Sequence, residues 1–136
     1  MSVDTTAPRI LVVDDEDSVR SLVERILRDA HYDVSTAASG REALNVVEAQ
    51  PPFDAFVLDV MMPEMTGEEL ARQLRLREPD IKVLYFTGYA DRLFDEKPVL
   101  GAYEAFLDKP VTVSGIREAV SLLMFGHTGG PDRGRS

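Results

Sequence analysis

Three aspartates, a threonine and a lysine stand where short apolar runs of this sequence stop. Asp14 and Asp15 follow the run 10–13, Asp59 follows 53–58, Thr87 follows 83–86, and Lys109 with Pro110 comes just after 105–107. Each residue taken alone has an ordinary use. An aspartate after a strand often caps the next helix, a lone lysine is usually solvated, and threonine is at home in strands. The recurrence of polar groups at the ends of separate runs is the signal. Two carboxylates 4 Å apart repel by about 4 kcal/mol at an effective dielectric near 20, so three of them together call for a cation. An all-oxygen donor set suits Mg²⁺ or Mn²⁺. Such an ion leaves positions for phosphate oxygens, which suits phosphoryl transfer. A carboxylate can itself be the nucleophile and form an aspartyl phosphate.

These residues meet only if the run ends share one edge of a sheet. The runs are continuous rather than alternating, as in strands covered on both faces of a parallel sheet. A fifth, more polar candidate at 33–37 belongs at or near an edge. Between the runs lie helical stripes: Val19, Leu22, Val23, Ile26 and Leu27; then Ala43, Leu44 and Val47; then Leu70 and Leu74; and last Ile116, Ala119, Val120 and Leu123. Ser39 with Glu42 and Thr66 with Glu69 have capping-box spacing, and Thr112 or Ser114 can cap the last stripe. The stretch 90–102 should be a further helix, shortened or distorted by Pro98 and Gly101. The order is β-α repeated five times. It predicts a flavodoxin-like, doubly wound α/β fold with a five-stranded parallel sheet in the order 2-1-3-4-5. Ligands of such sheets bind at the carboxyl ends of the strands, where the strand order reverses.

Composition narrows the alternatives. The 136 residues make one domain, and 44% hydrophobic with 29% charged content is that of a globular protein. Residues 1–8 read as a flexible leader, 9–125 as the folded domain and 126–136, glycine-rich, as a disordered tail. The net charge of −9 argues against direct nucleic-acid binding. The absence of cysteine excludes disulfides, thiolate metal sites and a thiol nucleophile, and His31 and His127 are too few and too far apart for a histidine metal site. No apolar run nears the roughly 20 residues of a membrane span, and the polar start lacks the plan of a secretory signal, so a cytoplasmic protein is expected.

Four stretches together resemble the receiver domain of two-component response regulators: Ile10-Leu-Val-Val-Asp-Asp-Glu16, Leu58-Asp-Val-Met-Met-Pro-Glu-Met-Thr-Gly67, Phe86-Thr-Gly-Tyr-Ala90 and Phe106-Leu-Asp-Lys-Pro110. The resemblance covers about residues 9–125. It implies that Asp59 accepts a phosphoryl group from a phosphohistidine. It implies that Asp15, Asp59 and the backbone carbonyl of Met61 ligate Mg²⁺, with Asp14 acting through water. It also implies that Lys109 contacts a phosphoryl oxygen, that Thr87 moves in to hydrogen-bond it, and that Phe106 is the aromatic switch, here without a hydroxyl. The Lys109–Pro110 bond is expected to be cis. Met61 and Tyr89 stand at positions that influence the phosphoryl lifetime, and their bulk suggests limited water access. Of Met61, Met62 and Met65, packing rather than a flexible contact surface is the expectation.

The implied partners are a sensor histidine kinase or a histidine phosphotransfer protein, with a downstream protein unnamed. The implied chemistry is self-phosphorylation and autodephosphorylation rather than an enzyme acting on an external product. A phosphorylation-dependent dimer is a further expectation, weakened by the proline-interrupted stretch 90–102. Other readings are a phosphate-independent interaction module and the receiver portion of a hybrid histidine kinase. A magnesium-dependent phosphatase is disfavoured because Met61 stands where such enzymes carry a second acid. A nucleotide or flavin site is disfavoured because Asp14 to Asp17 replace a glycine-rich phosphate loop.

Overall fold

The computed structural model describes residues 7–50, 52–87, 104–108 and 112–126, with the backbone alone at 87 and 104–108. Strands β1 (Arg9–Val13), β2 (Asp33–Ala37), β3 (Ala55–Asp59), β4 (Lys82–Thr87) and β5 (Glu104–Asp108) form one sheet. Its order is β2-β1-β3-β4-β5, and every pairing is parallel. Helices α1 (Asp17–Asp29), α2 (Gly40–Ala49), α3 (Gly67–Arg77) and α4 (Val113–Phe125) lie between and after the strands. The expected helix at 90–102 lies outside the described residues, as do 1–6 and 127–136 of the expected leader and tail. Pro8, the last residue of that leader, accepts the Asp33 N–H at 2.9 Å.

Both sheet faces are buried, which is why the strands read as unbroken apolar runs. Successive side chains alternate faces. Ile10, Val12, Ala55, Val57, Leu84 and Phe86 point to one side and pack with Val23, Ile26 and Leu27 of α1 and Ile116 and Val120 of α4. Leu11, Val13, Phe56, Leu58, Val83 and Tyr85 point to the other and pack with Ala43 of α2 and Leu70, Ala71 and Leu74 of α3. Burying each larger aliphatic side chain contributes about 1.5–3 kcal/mol. The polar β2 occupies an edge, as its composition predicts. Leu22 of the α1 stripe is 42% exposed, at the margin of that helix's apolar face.

The caps set where the helices begin. Thr66 and Glu69 form both arms of a capping box at α3. Ser39 accepts from Glu42 N–H at α2, but the Glu42 carboxylate reaches Ala38 N–H instead of Ser39 N–H, one residue earlier than the motif predicts. Thr112, not Ser114, caps α4. Gly126 closes α4 in a left-handed conformation at φ 79°, as helix-ending glycines do.

Candidate functional site

β1 lies between β2 and β3, so the chain's winding reverses there, and the carboxyl end of such a switch point is where ligands of these sheets bind. Asp14 and Asp15 leave β1 at this point and Asp59 ends β3 beside them. Their carboxylate oxygens lie within 4.8 Å of one another. Asp14 is wholly buried, Asp59 is 2% exposed and Asp15 is exposed. At this spacing each like-charged pair repels by about 3 kcal/mol at an effective dielectric near 20.

Local hydrogen bonds hold the aspartates in place. Asp14 N–H donates to Ala37 O at 3.2 Å, tying the end of β1 to the end of β2. The Asp14 carboxylate accepts Glu16 N–H at 2.9 Å, which starts α1 without help from the Glu16 side chain. Arg20 donates to Asp14 O at 2.8 Å and pairs with Asp17 at 2.6 Å, clamping the same turn. Asp59 Oδ1 accepts Met61 N–H at 3.3 Å, which orients that carboxylate. Val60 N–H donates to Phe86 O, fixing the loop's start to β4, and Gly67 N–H donates back to Val60 O. A Cβ on Gly67 would overlap the Asp59 carbonyl oxygen, so only glycine lets α3 begin this close to Asp59.

The same loop carries strain. Glu64 has φ 70°, an unfavourable region for a residue with a side chain, and Met65 N–H bonds back to Pro63 O at 2.7 Å across it. This is a γ-turn with a left-handed centre, and such turns are rare. Met62 is buried in the α2–α3 face of the core, Met65 packs against that face half-buried, and Met61 is 57% exposed. Packing therefore accounts for two of the three methionines, and the third faces solvent.

The expected site residues divide by element. Asp14, Asp15 and Asp59 come together, and Met61 sits two residues beyond Asp59 on the same loop. The backbone of Thr87 ends β4 one position past Phe86, the register partner of Asp59, and so reaches the same edge. Phe106 lies on β5 opposite Tyr85. The side chains of Thr87 and Phe106, together with Tyr89, Lys109 and Pro110, lie outside the described residues. Sequence reasoning missed Arg20 and the Glu64 turn. The Asp17–Arg20 spacing on the first turn of α1 signals the former. Nothing in a glutamate signals the latter.

The donor set fits a hard divalent cation. All candidate ligands are oxygens, two of the three carboxylates are buried, and the exposed Asp15 leaves the group open to solvent. Among the described residues no helix is long and apolar enough to cross a membrane.

Comparison with known proteins agrees with this geometry. A family model described as the response regulator receiver domain matches residues 10–121. The chain is 40% identical over 116 residues to the sensor kinase CckA of Brucella abortus (strain 2308), covering 85% of this chain and 12% of that protein. It is 33% identical over 113 residues to sporulation initiation phosphotransferase F of Bacillus subtilis (strain 168), covering 82% of this chain and 90% of that one. The solved structure of the Vibrio cholerae chemotaxis protein CheY4 matches with a TM-score of 0.72 at 27% identity, over 87% of this chain and 99% of that chain. The chain spans less than half the length of the sensor kinase and of two further regulators that it matches.

Proposed function

The chain belongs to the receiver-domain family of response regulators, and from that membership we propose that it is a phosphorylation-activated switch whose phosphoryl acceptor is Asp59. Receivers are signalling switches rather than enzymes in the ordinary sense. The observation that carries the assignment is the convergence of Asp14, Asp15 and Asp59 at the switch point of the sheet.

Met61 N–H orients the Asp59 carboxylate, and the close start of α3 fixes the Asp59 backbone that carries it. A carboxylate oxygen of Asp59 attacks the phosphorus of a phosphohistidine. A new P–O bond forms, the P–N bond breaks, and the electron pair leaves with the imidazole nitrogen, which takes up a proton. Asp15, Asp59 and the Met61 carbonyl would hold Mg²⁺, with Mn²⁺ as a substitute, and Asp14 would hold it through water. When bound, the ion neutralises charge on the phosphoryl oxygens. Thr87 is assigned to hydrogen-bond the phosphoryl group, Lys109 to pair with its oxygens and Phe106 to report the change by turning inward. A cis Lys109–Pro110 bond would aim the lysine. The donor is a sensor histidine kinase or a histidine phosphotransfer protein. The similarity to a sensor kinase and, over 90% of its length, to a phosphotransferase supports a place within a relay.

The test is intact-mass detection of phosphoryl transfer from acetyl phosphate, with and without Mg²⁺. The wild type should gain one phosphoryl group only with Mg²⁺, and Asp59→Asn should gain none. Equal phosphorylation of Asp59→Asn would overturn the assignment. So would a folded wild type that takes up no phosphoryl group from acetyl phosphate or from a phosphohistidine protein.

A further inference from the structure

The junction between β2 and α2 touches both halves of the acidic cluster. On one side Ala37, the last residue of β2, accepts Asp14 N–H through its carbonyl. On the other, Gly40, the first residue of α2, lies against the Met65 side chain of the Asp59 loop. A Cβ placed on Gly40 would fall 2.6 Å from Met65 Sδ and 3.1 Å from both Met65 Cβ and Cγ. Only Ala38 and Ser39 separate the two contacts. Both are held, since Ala38 N–H donates to the Glu42 carboxylate at 2.8 Å and Ser39 Oγ accepts Glu42 N–H at 3.1 Å. The junction is therefore a short, stiff spacer between Asp14 and the loop that carries Asp59.

The loop has little slack with which to absorb a side chain at position 40. Met65 packs half-buried against the α2–α3 core face, so its Sδ and Cγ clear the space only by giving up that packing. Met65 N–H is bonded across the strained Glu64 turn to Pro63 O. Thr66 is fixed by both arms of its capping box. Gly67 is bonded to Val60 O and pressed against the Asp59 carbonyl. A push at Met65 therefore passes to the backbone that orients the Asp59 carboxylate.

We propose that Gly40 is a positioning residue for the acidic site: its missing side chain seats Met65 and so sets the placement of Asp59 relative to Asp14, and with it the affinity for a divalent cation. The proposal deepens the function proposed above and rests on it. The signal was present in the sequence as a glycine directly after the Ser39 cap, but its partner, 25 positions further on, shows only in the fold.

The test compares wild type, Gly40→Ala, Met65→Ala and the double variant. Mg²⁺ alone is titrated by isothermal calorimetry. The backbone amide resonances of Asp14, Asp15 and Met61 are recorded without metal, and circular dichroism confirms folding. Gly40→Ala should bind Mg²⁺ roughly tenfold more weakly, the scale on which supporting residues tune metal sites. Its three amide resonances should shift even without metal. In the Met65→Ala background the same Gly40→Ala change should cost less than about twofold and the resonances should return, because the sulfur and Cγ it would strike are gone. Unchanged Mg²⁺ affinity in Gly40→Ala would overturn the proposal, as would the same fold-loss in both backgrounds. If Gly40→Ala does not fold, the Met65→Ala pair decides: a double variant that folds and binds like Met65→Ala supports the proposal, and one that does not overturns it. A folded wild type that binds no Mg²⁺ overturns the cation reading itself, and this outcome is visible before any variant is compared.

Discussion

At the amino edge of the sheet, charges meet partners of complementary kind. Arg9 pairs with Asp33 at 3.4 Å, donates to Gln50 and to Pro52 O, and lies 4.5 Å over the Phe53 ring. Its backbone N–H is taken by the Asp54 carboxylate. Lys82 Nζ donates to Met124 O near the C-terminal end of α4, where a cation is favourable. At the carboxyl edge like charges are brought together. Three carboxylates are gathered within 4.8 Å, two of them buried, beside a loop with a left-handed glutamate. One edge is arranged to keep the chain folded. The other gathers like charge that a cation can offset, and folding tolerates it because the two buried core layers are extensive.

The contrast can be broken most sharply by changing charge at each edge. The largest effect is on function: Asp59→Asn should abolish phosphoryl uptake, as read by intact mass, while the chain remains folded. Next comes the cation. Mg²⁺ at a hundred times its dissociation constant should raise unfolding stability by about 2.7 kcal/mol, seen in the urea midpoint, and Asp15→Asn should remove most of that gain. Third, the two edges should respond with opposite sign in Mg²⁺-free buffer. Arg9→Ala should lower stability by about 1–2 kcal/mol through its lost hydrogen bonds and ring contact. Asp14→Asn should raise it by about 1 kcal/mol, because an amide keeps the bond from Glu16 N–H and removes one repelling charge. A fall in stability for Asp14→Asn would mean that the cluster does not store repulsion.

The smallest effect concerns Tyr32, buried beside the stacked Phe125 with its hydroxyl lacking a hydrogen-bond partner among the described residues. Burial pushes its pKa from 10.0 up to about 12, and the Arg117 charge opposes that rise. The folded state holds this proton more tightly than the unfolded chain. The resulting stability is complete below about pH 10 and is lost as pH rises through about 12. Tyr32→Phe should leave neutral-pH stability unchanged or raise it by up to about 1 kcal/mol. It should also flatten the pH dependence of the urea midpoint in that alkaline window.

Much of this fold was legible because burial on both faces writes itself as continuous apolar runs. The strand ends then followed from where Asp14, Asp15, Asp59 and Thr87 interrupt those runs. The edge placement of β2 was readable from its serine and threonine, and the caps Ser39, Thr66 and Thr112 from local hydrogen-bond chemistry. Features that depend on distant neighbours were not readable. Glu64 adopts positive φ because the loop must close between Val60 and Gly67, not because glutamate favours it. Gly40 is pressed by Met65 only once α2 and the Asp59 loop share a core face. The Asp17–Arg20 spacing was readable, but the bond from Arg20 to Asp14 O shows only once the end of β1 turns into α1.

The most direct measurement is the location of the phosphoryl group. The chain would be phosphorylated with acetyl phosphate and Mg²⁺, reduced with borohydride to convert any aspartyl phosphate to homoserine, digested and sequenced by tandem mass spectrometry. Homoserine is expected at position 59 and at neither 14 nor 15. Homoserine at 14 or 15, or at no aspartate despite a phosphorylated intact mass, would contradict the assignment of Asp59.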